Sequence, residues 1–230
     1  MRVNQTLRRV GADVAAFLMA STCAGCDEPG HLLCASCRHA LAPSPRELVT
    51  PRGLLVRSAL EFDGVSARCI RRLKGDGETH LARPLGSALA AVLSPFLAVS
   101  AAIVPVPTSS RAFRRRGYRV PDLLARHAGA RPQRLLSLEA TPRDQRGLGF
   151  QARIDNIQGS MKAHRRENGT SVVLVDDVVT TGATIDEAAR ALRAGGFHIE
   201  GAVTLAATPR LSGFAGDASG THRRHDESPP

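Results

Sequence analysis

Aromatic side chains are scarce in this 230-residue sequence: Phe occurs seven times, Tyr once and Trp never. A base-stacking platform for single-stranded nucleic acid needs exposed aromatics, so that mode is disfavoured. Lysine is scarcer than arginine by far. It stands only at 74 and 162, and the other 29 of the 31 basic residues are Arg. An Arg-for-Lys bias beside abundant Ala also fits a GC-rich genome, so basicity alone assigns no partner. No run approaches the roughly 20 apolar residues that span a bilayer, so no membrane span is expected and the expected location is cytoplasmic. There is no G-x-x-x-x-G-K-[ST] loop, no dinucleotide fingerprint and no internal repeat.

What is present is a chain long enough for one core of moderate size with a small appendage. The formal charge is +10, which suits phosphates, nucleic acid or a membrane surface. The N-terminus looks at first like a signal peptide, with Arg2, Arg8 and Arg9 before Val14–Ala20. Asp13 at the edge of that short apolar run and Thr22 before Cys23 fit this poorly. Leu7, Val10, Val14, Phe17 and Leu18 recur at helical spacing, and an amphipathic helix is the preferred reading.

Cys23-x-x-Cys26 and Cys34-x-x-Cys37 are two knuckles seven residues apart. Each turn aims two thiolates at one ion, and four complete a closed tetrahedral site. Structural Zn²⁺ is favoured over two disulfides or a redox or iron–sulfur role. Cys69, the fifth, reads as a plain thiol. The proline-rich stretch 41–53 is the natural connector. The expected organisation is an N-terminal helix with the zinc module over 1–48, an α/β domain over 49–209 and a disordered tail over 210–230.

Strand and helix patterns alternate from Leu54 onward. Strands are expected at 54–62, 101–107, 131–136, 172–179 and 197–207, with helices at 65–73, 79–97, 121–128 and 185–195. That alternation implies a mostly parallel sheet flanked by helices. Ligands bind such sheets at the carboxyl ends of strands. Thr108, Ser109, Ser110 and Arg111 follow one strand end. Arg114, Arg115, Arg116 and Arg119 come next, as a solvated helix face or a phosphate or nucleic-acid clamp; their position favours the clamp. The polar segment 141–161 is long enough to be either a functional lid or a disordered stretch.

The strand Val172–Val175 ends in Asp176 and Asp177, then Val178, Val179, Thr180, Thr181, Gly182, Ala183 and Thr184. Amides at a helix N-terminus and three hydroxyls suit a phosphate, and Gly182 lets the backbone approach it. Two carboxylates would repel a second phosphate but suit a ribose diol, directly or through Mg²⁺.

This stretch resembles the PRPP-binding motif of type I phosphoribosyltransferases. The wider pattern resembles the ComF family of competence-associated, phosphoribosyltransferase-like proteins. It is carried by the four cysteines, Val104–Pro107, Arg116-Gly117-Tyr118, Gln145, and Arg153 with Asn156. The resemblance implies that Asp176 and Asp177 contact the ribose and that Val179 to Thr184 hold the 5-phosphate. It also implies that Thr108 to Arg111 form a pyrophosphate loop and that Arg143, Gln145 and Arg153 belong to a mobile catalytic loop. The implied cofactors are Mg²⁺ and structural Zn²⁺. The implied ligand is PRPP or a related ribose phosphate, with single-stranded DNA or DNA-uptake proteins as further partners. The family's Asn-Gln after Arg-Gly-aromatic is replaced here by Arg119-Val120, and no residue pattern names an acceptor base or an oligomeric state.

Overall fold

The computed structural model describes residues 21–99, 101–139 and 158–209. The expected N-terminal helix, the expected lid residues Arg143, Gln145, Arg153 and Asn156, and the tail from 210 lie outside the described residues. In chain order the elements are α1 (Ala35–Ala40), β1 (Arg46–Val49), β2 (Leu55–Glu61), α2 (Gly64–Gly75), a 3₁₀ turn (Thr79–Leu81) and α3 (Ala82–Ala98). Then follow β3 (Ala102–Pro105), α4 (Ser110–Arg116), α5 (Val120–His127), β4 (Leu136–Leu138), β5 (Met161–Ala163), β6 (Ser171–Val179), α6 (Ala183–Ala194) and β7 (His198–Ala207).

Five strands form one sheet in the order β1-β2-β7-β6-β3. β2, β7, β6 and β3 run parallel, and β1 closes the edge as an antiparallel hairpin with β2. Val172 to Val175 are wholly buried, as a central parallel strand covered on both faces requires. One face is covered by α2, α3 and α5, through Ile70, Leu73, Leu85, Leu89 and Leu124. The other is covered by α6, through Ile185, Ala188, Ala189 and Leu192.

Several expectations need correcting. The segment 41–53 is more than a connector, because it contains β1. Residues 131–135 are irregular; the strand there is β4, which pairs with β5 in a separate two-stranded sheet. Pro132 has no N–H to give a ladder, and the Gln133 amide instead donates to the Ile103 carbonyl at 2.7 Å. Ser110 and Arg111 already belong to α4, with Ser109 accepting from the Ala112 amide at 3.2 Å as its N-cap. One helix, Thr79–Ala98, is long and apolar enough by composition to cross a membrane, contrary to expectation. Its Leu81, Leu85, Leu89 and Leu93 are fully buried within the protein core. α3 also packs closely on α5: a Cβ at Gly86 would overlap His127.

Candidate functional site

β3 and β6 lie side by side, with Pro105 opposite Val175. The Val106 amide still donates to the Val175 carbonyl at 2.8 Å. The loop carrying Thr108 therefore leaves the same sheet edge as Asp176. Beyond β3 the chain passes to α5 on one face; beyond β6 it passes to α6 on the opposite face. Neighbouring strands whose connections part to opposite faces open a crevice at their carboxyl ends, where α/β sheets take their ligands.

Asp176 and Asp177 stand at the mouth of that crevice. Successive strand residues point to opposite faces. Asp176 shares its register with Thr204 of β7, on the α6 side. Asp177 turns to the other face and meets Lys74 in the last turn of α2, Nζ to Oδ1 at 2.6 Å. Burial pushes Asp176 up to about 8, and the neighbouring Asp177 carboxylate adds to the rise. The Asp177 amide, 2.8 Å from Oδ1, and Lys74 oppose it with smaller effect. Between its ordinary 3.8 and about 8 the folded protein holds a proton on Asp176 that the unfolded chain has lost. Stability therefore declines as pH rises through that window. Asp176→Asn keeps the shape and cannot ionise. Its urea midpoint is expected to change less between pH 5 and pH 9 than the wild-type midpoint; equal changes would remove Asp176 as the cause.

The turn between β6 and α6 is shaped by a distant part of the chain. Gly182 has φ +79°, a left-handed conformation that favours glycine. A Cβ there would sit 2.9 Å from Thr50 Cγ2. Thr50, in the β1–β2 turn, donates to Asp186 Oδ1 at 2.5 Å, and the Arg52 amide donates to Asp186 Oδ2 at 3.1 Å. The Leu54 amide in turn donates to Thr50 Oγ1 at 3.0 Å. Within the loop, the Ala183 amide donates to Thr181 Oγ1 at 3.3 Å. Val179 and Ala183 are buried, Thr181 and Thr184 half-buried, and Thr180 is exposed. The backbone from Thr180 to Thr184 thus runs into the N-terminus of α6, the end of a helix dipole that favours an anion.

The arginines after β3 differ in their surroundings. Arg111, Arg114 and Arg115 are exposed on α4. Arg116 is half-buried, and its Nε has no hydrogen-bond partner. Arg119 stacks over the Phe113 ring at 4.2 Å. It lines a cavity of about 250 Å³ with Thr108, Ser110, Arg134, Ser137 and His164. Tyr118 donates its hydroxyl to the Leu73 carbonyl, one residue before Lys74.

The four cysteines Cys23, Cys26, Cys34 and Cys37 converge, every Sγ within 4.8 Å of the others. Sulfurs held about 2.3 Å from a tetrahedral ion lie about 3.8 Å apart, and Cys26 and Cys34 are separated by 3.7 Å. Burial raises Cys23, but the amides of Cys34, Gly25 and Cys26 outweigh it and bring the thiol down to about 6. The amides of Cys34 and Gly25 reach Cys23 Sγ at 3.3 and 3.4 Å, as donors to a thiolate would. A side chain on Gly25 would collide with Cys37. Dimensions and donors therefore fit a thiolate-bound metal. Asp27, with φ 64° in the first knuckle, ties the cluster to α2 through Arg68 at 3.3 Å and through Arg72.

Residues 135–213 match the family model described as a phosphoribosyl transferase domain. This region is phosphoribosyltransferase-like. It runs from β4 through β7 and includes the acidic tip, while the cysteine cluster and Thr108–Arg111 precede it. No curated protein matches the chain. Among solved structures, an adenine phosphoribosyltransferase from Rhodothermus marinus is similar at 21% identity, covering 79% of this chain and 92% of its own, with a TM-score of 0.40. One from Saccharomyces cerevisiae stands at 16% identity, 78% and 93% coverage and a TM-score of 0.39. An orotate phosphoribosyltransferase from Aeropyrum pernix stands at 20% identity, 76% and 92% coverage and 0.36.

Lys74, Thr50, Asp186 and Tyr118 all support the phosphoribosyltransferase-like tip, yet no motif in the sequence marks them as partners. Only the rarity of lysine sets Lys74 apart.

Proposed function

We propose that the chain binds PRPP with Mg²⁺ in the crevice between the β3 and β6 loops and transfers its phosphoribose to an acceptor. The observation that carries this reading is the parallel register of β3 and β6. It sets a hydroxyl-rich loop beside two carboxylates and a helix N-terminus, so one face of the crevice suits a phosphate and the other a diol. In this reading Asp176 and Asp177 take the ribose hydroxyls, Val179 to Thr184 the 5-phosphate, and Thr108 to Arg111 the pyrophosphate. Lys74 pairs with Asp177 alone, and a cation bound at the tip would displace the proton from Asp176. Bound there, Mg²⁺ would supply charge neutralisation for the leaving pyrophosphate. The protein's own residues hold the ribose and pre-aim donors at the departing anion. Arg143, Gln145 and Arg153 are assigned to a loop that shields the reaction from water. It would spring from the paired stem of β4 and β5, which bracket those residues in sequence.

The cysteine cluster is assigned one structural Zn²⁺, with no coordination position left for chemistry. A role in competence and DNA uptake, as in ComF-like proteins, finds its support in exposed Arg111, Arg114 and Arg115. As an alternative, a non-catalytic sensor of PRPP would use the same site.

Calorimetry with PRPP and Mg²⁺ tests the shared claim, and binding is the expected result. No heat at millimolar PRPP would overturn it. Pyrophosphate release across a panel of nucleobases then separates an enzyme, which releases it with one acceptor, from a sensor, which releases none.

A further inference from the structure

In a chain that uses arginine for 29 of its 31 basic positions, one of the two lysines stands at the acidic tip. Lys74 Nζ lies 2.6 Å from Asp177 Oδ1, with the lysine side chain 31% exposed and the aspartate 13%. The end of α2 that carries it is braced twice. Tyr118 donates to the Leu73 carbonyl, and Arg72 bridges Asp27 and Glu78, the latter at 3.3 Å. Its backbone is thus held in place, while the side chain reaches the crevice mouth on a flexible stem.

We propose that Lys74 is a ligand-contacting residue of this site, which leaves Asp177 for an anionic oxygen of a hydroxylated phosphate ligand. The inference rests on the reading of the crevice as a sugar-phosphate site. While the ammonium sits on Oδ1 it takes up one of the acceptor positions that Asp177 could offer to a ligand diol. A ligand with a diol and a phosphate or pyrophosphate resolves this by exchange. Its hydroxyls donate to Asp177, and the freed ammonium donates to its anionic oxygens. The exchange keeps both charged groups hydrogen-bonded at each end of the movement. A lysine suits it: the ammonium is a compact charge with three rotatable donors on a four-carbon stem. A guanidinium would fasten to the carboxylate through a rigid fork. A bridge serving only to fix α2 to the sheet would be better made by that fork, and the chain supplies arginine almost everywhere else.

The scarcity of lysine makes the test direct. Reductive methylation with ¹³C-formaldehyde labels Lys74, Lys162 and the terminal amine while keeping their charge. Lys74→Met assigns the Lys74 resonance. On titrating the full chain with PRPP and Mg²⁺, the Lys74 resonance is expected to shift to saturation while that of Lys162 stays. By calorimetry, Lys74→Met is expected to bind PRPP at least about tenfold more weakly, the scale of one charge-assisted hydrogen bond. Lys74→Arg keeps the ion pair and is expected to recover thermal stability but not full affinity. If calorimetry shows PRPP binding and the Lys74 resonance does not move, the inference fails and the site reading stands. If the wild-type chain takes up no PRPP, both fail. The resonance is read in the wild-type chain, and Lys162→Met, at an exposed side chain, supplies the assignment by elimination if Lys74→Met does not fold.

Discussion

Cys37→Ser is expected to release the metal and lower the unfolding midpoint by roughly 6–12 °C, the equivalent of about 3 kcal/mol in a domain of this size. Cys37 is 3% exposed and lies against Gly25. The cluster is not a separate bead, because Cys23, Ala24, Leu33, Cys34, Cys37 and Leu41 share one apolar core with Leu73, Leu81 and Leu85. A thiolate lost from a closed site removes ligand binding energy that is also folding energy. It also unfastens residues on which α2 and α3 pack. Metal analysis and calorimetry check this together. About one equivalent of zinc is expected in the wild type and in Cys69→Ser, and well below half in Cys37→Ser. Full zinc occupancy in Cys37→Ser would refute the four-thiolate assignment.

Asp177→Asn should weaken PRPP binding by roughly 10- to 100-fold. The carboxylate is assigned contacts to ribose hydroxyls, and a hydrogen bond to a charged group contributes about 1.5–3 kcal/mol. The amide that replaces it accepts weakly on one side only. It also frees Lys74 from its counter-ion, which costs stability in the unliganded protein and offsets part of the lost affinity by leaving the ammonium to the ligand. Calorimetry on Asp177→Asn reads the affinity. A value within about threefold of wild type would remove Asp177 from the ribose contacts.

The parts legible in the sequence are those whose chemistry is local. Val172 to Val175 announce a buried parallel strand, and Thr180 to Thr184 announce a turn into a helix, because consecutive residues make both. The cysteine knuckles are legible because ligand spacing is a property of two short turns. β1 was hidden because a four-residue edge strand in a proline-bearing stretch has too short a period to read. The strand expected at 131–136 shifted to Leu136–Leu138 because Pro132 interrupts the ladder and the Gln133 amide goes to the Ile103 carbonyl instead. Lys74 and Asp177 are 103 positions apart. Only the sheet and the length of α2 bring them together, so no window on the sequence contains the pair. The arginine run is the reverse case. Contiguous in sequence, it divides in space between exposed Arg114 and Arg115, half-buried Arg116 and ring-stacked Arg119.

The bond from Thr50 to Asp186 spans 136 residues. Contacts that far apart close a large loop before they return any energy, and chains rich in them reach the native state slowly. The conformation at Gly182 is therefore completed from outside its own neighbourhood, when the β1–β2 turn arrives. A nascent chain that has made β6 and α6 still lacks nothing of their sequence, yet holds the turn between them without its back wall until the opposite end of the domain docks. The turn at Gly182 is therefore expected to reach its final form late in folding, once sequence-distant parts of the domain have met.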